Sequence, residues 1–436
     1  MLRILTALWF ALLASTAQAE IDIKEITSPG GINAWVVEEP SIPFVALEIR
    51  FRGGASLDEP GKRGAVNLMA ALLEEGAGDL DAQAFQTARE ALAARFRFNA
   101  SDDTISVSAQ FLTENQQEAL ALLEQALINP RFDQPAMDRV RAQVLAGIAS
   151  DATNPRSIAS AALYAAAYGD HPYGTPLDGT ADSVNALTRD DMFDAHRNTL
   201  TRDRLYVSVV GDVTVEEVGP MLDALLGDLP AEGPALPEDI AFDLPGGVTV
   251  IDFDNPQSVA LFGHAGMKRD DPDFFAAFIV NHVLGAGGFQ SRLMTEVRER
   301  RGLTYGIGSY LAPSFHSETV MGNVASSNAT IAEAIDVTRD EWARMAEQGL
   351  TEAELDAAKT FLTGEYPLRF DGNAAIASIM VGMQMIDLPS DYVINRNDYI
   401  EAVTLEEANR VAAELLRPDD LHFVVVGRPE GLEPTR

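Results

Sequence analysis

Short alternating or wholly apolar runs, bounded by proline and glycine, read as strands, and longer runs with apolar residues three and four apart read as helices. The same succession occurs twice. Residues 34–37 and 44–51 read as two strands separated by a turn containing Pro40 and Pro43. Residues 248–253 and 258–263 repeat that arrangement around Pro256. Each half also closes alike. Residues 186–213 and 402–427 align without a gap, matching Ala186 with Ala402, Thr188 with Thr404, Leu205 with Leu421 and Gly211 with Gly427. In both copies a threonine precedes acidic residues and a periodic apolar run, the pattern of an N-capped helix. An apolar strand ending at glycine follows, at 205–210 and at 421–426. Between the copies, residues 227–247 hold Pro230, Gly233, Pro234, Pro237 and Pro245, the composition of an exposed linker. The pattern predicts an α+β chain of two homologous domains, 20–226 and 248–436, each an antiparallel-rich sheet covered by helices.

Composition narrows the function classes. With 436 residues, 47% of them hydrophobic, the chain can build two well-buried cores. Residues 1–19 read as a secretory signal peptide: Arg3, a short apolar run over 4–14, then Ala17-Gln18-Ala19. Cleavage there starts the mature chain at Glu20, and no later stretch is apolar enough to span a membrane. The expected location is an exported compartment, the periplasm if the source is Gram-negative. The absence of cysteine excludes disulfides, thiolate ligands and a thiol nucleophile. A formal charge of −34 argues against nucleic acid; its expected role is plain solubility, with basic partners or peptides as the other reading.

Several segments, in order, carry a family resemblance. They are His171-Pro172-Tyr173-Gly174, Gly179-Thr180, the 186–191 and 205–213 runs, Ser291-Arg292-Leu293, and the stretch from Arg298 to Tyr305. Together with the duplication, they resemble the pitrilysin/insulinase-type zinc peptidases, including the mitochondrial-processing-peptidase branch and its paired bacterial relatives. The resemblance implies two α+β domains arranged like a clam shell.

Active members carry H-x-x-E-H on a helix of the first domain. Residues at i, i+3 and i+4 share a helix face, so two imidazoles hold Zn²⁺ while the glutamate reaches the metal-bound water. A later glutamate is the third ligand. Here the matching positions hold Asn67, Ala70 and Ala71, and the later glutamate falls near Gly147. No histidine precedes His171, so an error of register does not restore the site. Glu74 and Glu75 alone make a poor zinc site and are expected to serve the helix end. His171 is expected to be structural, and His196 to lie on a surface helix. The chain is therefore expected to bind no metal itself.

The resemblance also implies that an arginine and a tyrosine seven positions apart in the second domain bind substrate and the tetrahedral oxyanion. Arg298 and Tyr305 match that pair, and a fixed cation and a phenol suit such charge. Ordinary surface charge is the plainer reading of Arg298, within the run Arg298-Glu299-Arg300-Arg301. Gly285, Gly287 and Gly288 form a glycine-rich stretch that is either a substrate loop or a tight turn between helices. Lost ligands beside a retained pair imply a divided enzyme. This chain would be the non-catalytic, substrate-binding subunit of a heterodimeric exported zinc endopeptidase acting on peptides, with Zn in a partner bearing H-x-x-E-H. The alternative is an inert peptide-binding or scaffold protein of the same fold.

Overall fold

The computed structural model describes residues 21–435, so the signal-peptide reading of residues 1–19 lies outside it. Two sheets are built the same way. The first contains β1 (Lys24–Thr27), β2 (Asn33–Glu38), β3 (Phe44–Arg52), β6 (Arg95–Ala100), β7 (Thr104–Leu112) and β8 (Leu205–Gly211), in the order β1-β2-β8-β3-β7-β6. A separate small hairpin pairs β4 (Gly76–Ala77) with β5 (Leu80–Asp81). The second sheet contains β9 (Gly247–Asp252), β10 (Gln257–Ala265), β11 (Ile307–Pro313), β12 (Glu318–Ser327) and β13 (His422–Gly427), in the order β11-β12-β10-β13-β9. In each sheet the last strand lies between the first two of the repeat. It runs parallel to one (β8 to β2, β13 to β9) and antiparallel to the other (β3 and β10).

The helices that place the functional positions are α1 (Ala65–Leu72), α2 (Gln134–Asp151), α3 (Pro155–Tyr168), α4 (Arg189–Thr199), α5 (Phe274–Asn281), α6 (Asn373–Met385), α7 (Tyr392–Ala402) and α8 (Leu405–Leu415). The repeated sequence forms α4–β8 and α8–β13. Thr188 and Thr404 both close capping boxes, with Asp191 and Glu407 respectively, which satisfies free amides at each helix start. α4 packs on α1 as α8 packs on α5. Gly211 (φ +145°) and Gly427 (φ +154°) end the two strands in backbone that side chains rarely adopt. A Cβ at Gly211 would collide with the Phe44 carbonyl, and one at Gly427 with Ser258.

Helices of its own half cover one face of each sheet, and a helix of the other half covers the opposite face. α3 brings Ala159, Leu163 and Ala167 onto Leu261, Met321, Val424 and Val426 of the second sheet. α6 brings Ala377, Met380 and Met383 onto Trp35, Val37, Ala46 and Val210 of the first. Gln384 Nε2 fastens α6 with bonds to the Val207 carbonyl and Ser208 Oγ, both 2.9 Å. The 227–247 connection departs from a fully exposed linker. Its middle is largely exposed, but Phe242 and Leu244 are buried with α3 against the second sheet. The prolines keep it irregular, while its apolar side chains are drawn into the nearest core.

Candidate functional site

The positions that the resemblance assigns to the zinc site lie on α1 and α2. α1 is apolar on most of its surface, and Ala70 is fully buried in the first core. Asn67 is half-buried and donates from Nδ2 to Asp178 Oδ1 at 2.6 Å. Ala71 offers only a methyl group. Gly147 lies on the exposed side of α2, where a Cβ would meet nothing within 4 Å. Burial, with Asp151 nearby, raises the Asp178 carboxyl above its ordinary range.

A polar network fixes the approach to α1. Asp58 accepts from Gly64 N and Val66 N, both 2.8 Å, which caps the helix start. Burial pushes its carboxyl up to about 6 despite those bonds and nearby Arg63. Arg63 binds Asp102 at 2.5 Å, the Thr175 carbonyl at 2.9 Å and the Pro172 carbonyl at 3.1 Å. An amide, two methyls and a glycine supply no imidazole or carboxylate where Zn²⁺ needs them, so the ion does not fit. Among the described residues no group of three or more His, Cys, Asp or Glu is placed to hold a metal. Glu74 and Glu75 pair with Arg89 and Arg139.

The histidines are held by their own partners. His171 accepts from Tyr173 N at Nδ1 and approaches the Glu238 carbonyl with Nε2, both at 3.2 Å. His196 lies on a surface helix, as expected, but that helix is amphipathic and the ring turns inward to the Leu127 carbonyl at 2.7 Å, edge-on to Phe132. Burial lowers its pKa.

The second half presents different chemistry. α5 continues into a π-helical turn, His282–Ala286, then a 3₁₀ turn, Gly288–Gln290, then a second π-helical segment, Met294–Glu299. π turns widen the helix and recur at functional sites. The glycine-rich stretch is thus a compact turn between helices. Gly285 lets β11 approach closely, since a Cβ there would come within 2.6 Å of Ser309 N. Beyond it, Phe289 is 63% exposed and Tyr305 is 86% exposed.

Arg298 differs from the other arginines of its run. Arg300 and Arg301 both bind Glu296, at 2.5 and 2.7 Å. Arg298 has no carboxylate partner among the described residues and lies with Cζ 4.5 Å from the Phe289 ring centroid. That contact leaves its charge available, in a chain where Asp and Glu number 66 against 32 Lys and Arg. Asn67 and Arg298 each find partners within their own half, so the structure does not join them into one constellation. Sequence reading missed Phe289; the signal was an aromatic placed where a glycine-rich turn offers no core to fill.

Comparison with known proteins agrees with this geometry. The model for insulinase (peptidase family M16) matches residues 35–181, and that for the peptidase M16 inactive domain matches residues 186–362. A Helicobacter pylori protein described as the non-peptidase homolog YmxG is 26% identical over 394 residues, covering 89% of this chain and 90% of that one. A probable mitochondrial-processing peptidase subunit beta from Schizosaccharomyces pombe is 23% identical over 433 residues, covering 93% and 91%. The crystal structure of a peptidase M16 inactive domain from Pseudomonas fluorescens superposes with a TM-score of 0.88 at 28% identity, covering 95% of this chain and all of that one. Both halves match the family and the metal donors are gone: the chain belongs to the insulinase-type M16 peptidase family, as a non-catalytic member without the H-x-x-E-H site.

Proposed function

We propose that this chain is the substrate-binding subunit of a two-chain, exported zinc endopeptidase that acts on peptides. The observation that carries the reading is Arg298, which has no carboxylate partner among the described residues and lies over exposed Phe289, seven residues from exposed Tyr305. A cation and a phenol held at the surface suit a peptide carbonyl and the charge that develops on it. The metal would come from a homologous partner bearing H-x-x-E-H, because among the described residues of this chain no group of three or more His, Cys, Asp or Glu is placed to hold it. One relative is itself described as a peptidase subunit, which supports an assembly of chains. The leader-like residues 1–19 support export, to the periplasm in a Gram-negative source.

A tagged pull-down from the exported fraction tests the assembly. The expected result is an H-x-x-E-H homologue in equal amount, with peptidase activity that this chain lacks alone. In the reconstituted pair, Arg298→Ala with Tyr305→Ala should lower kcat/KM about 100-fold or more while assembly is unchanged. Recovery of the chain alone and inactive would instead favour an inert peptide-binding or scaffold role. An unchanged kcat/KM in the double variant would remove the shared site.

A further inference from the structure

A cleft of about 790 Å³ remains between the two halves, within the range that holds a small ligand. Arg52, at the end of β3, enters it from the first half. Its guanidinium donates to the Met385 carbonyl and lies 4.5 Å from the Phe315 ring centroid, and its Nε is shut from water without a hydrogen-bond partner. Arg269 enters from the loop before α5. Its guanidinium lies 4.2 Å from the Phe274 ring centroid and donates to the Tyr392 hydroxyl at 2.9 Å. Neither arginine has a carboxylate partner among the described residues, whereas adjacent Lys268 is paired with Asp239 and Glu318. A buried or half-buried cation held only by rings and neutral oxygens keeps capacity for an anion.

Beside Arg269 stands an aromatic wall. Phe275 stacks on Tyr399 with centroids 5.2 Å apart, and Tyr392 stacks on Tyr399 at 6.1 Å. Tyr399 is 45% exposed, so the wall is open to a ligand. The rim is acidic, with exposed Asp270 and Asp387. Asp387 sits at φ +55° in the tight turn after α6.

We propose that this cleft binds a short peptide by its free C-terminal carboxylate. Arg52 and Arg269 take the carboxylate, one from each half. The Phe275–Tyr392–Tyr399 wall takes an apolar or aromatic side chain, and Asp270 and Asp387 take an amino group or basic side chain. Two free cations alone would suit any small anion; the wall and the acidic rim select one that is apolar in its body and positive at its far end. No bond is made or broken. The site uses none of Arg298, Phe289 or Tyr305, so its failure leaves the shared-site reading standing, and the reverse also holds.

Isothermal titration calorimetry on the full chain, with the tripeptide Lys-Ala-Tyr as free acid and as C-terminal amide, tests the proposal. The acid should bind at least tenfold more tightly than the amide. Arg269→Gln and Arg52→Gln should each bring the acid down to the affinity of the amide. If Arg52→Gln loosens the join between the halves, as a thermal melt would reveal, Arg269→Gln decides, because its loop lies outside both sheets. Equal affinity for acid and amide, an unchanged affinity in Arg269→Gln, or no binding of either peptide at millimolar concentration would overturn it.

Discussion

The two halves share one sheet topology, one capping-box helix feeding the central strand, and one terminal glycine at positive φ, yet they differ where chemistry is expected. In the first half the helix after the second repeat strand is α1, whose Ala70 has become part of the core. In the second half the corresponding helix, α5, runs into π and 3₁₀ turns that leave Phe289 and Tyr305 at the surface and Arg298 without a counter-charge among the described residues. The sheets differ inside as well. Phe51, facing Leu205 at the end of β3, is fully buried. Its counterpart in β10 is His264, one residue beyond the Gly263–His422 pair. His264 is equally buried, but its Nε2 accepts from Trp342 Nε1 at 3.0 Å and its Nδ1 donates to the Ala265 carbonyl at 2.8 Å. A duplicated frame thus tolerates opposite specialisation: in one copy the helix after the second strand serves packing, and the other copy keeps polar groups exposed or individually partnered.

Five substitutions, in three sets, probe this comparison. The largest effect concerns what the halves share. Leu163→Ala on α3 and Met380→Ala on α6 each remove a fully buried side chain from the reciprocal packing. Each should cost about 2–5 kcal/mol in urea unfolding. A cost below about 1 kcal/mol for either one would show that the exchange of helices is not symmetric in energy.

The next effect separates the halves by pH. Burial pushes His264 down to about 4, against about 6.5 in an unfolded chain. Below pH 6.5 the unfolded chain therefore takes up a proton that the folded chain refuses until about pH 4. The contribution is complete above pH 6.5 and is lost as pH falls toward 4, about 3 kcal/mol in all. His264→Phe, which copies the first half, should flatten that part of the stability curve. It also leaves Trp342 Nε1–H without an acceptor, costing about 1–3 kcal/mol at neutral pH. A wild-type curve no steeper than the variant's between pH 6.5 and 4 would contradict this assignment.

The smallest effect returns to likeness. Thr188→Ala and Thr404→Ala each remove an N-cap of the same form and should each lower stability by about 1 kcal/mol. Unequal costs in matched thermal melts would mean that the duplicated caps no longer carry equal weight.

Much of the frame was legible because it is local. Thr188, Thr404, Gly211 and Gly427 act within a few residues of themselves, and their shared spacing exposed the duplication. The lack of H-x-x-E-H was legible too, since no histidine precedes His171. Apolar spacing in α3 and α6 predicts a buried face but does not say which sheet receives it, so the helix exchange was hidden. The π turns around Gly285 have no compositional mark of their own. The cleft was invisible for a plainer reason: Arg52 and Arg269 come from opposite halves and line one cleft only in the folded chain.

The exchanged helices also set an order of events during synthesis. A chain emerging from the ribosome has every strand of its first sheet once β8 is out, but α6 begins only at Asn373. Until then Trp35, Val37, Ala46 and Val210 lack the cover they have in the finished protein. The first sheet must wait, sticky on one side, for most of the second half to be translated. Its native closure is therefore a late, whole-chain event, and a nascent chain of this design has reason to need a chaperone.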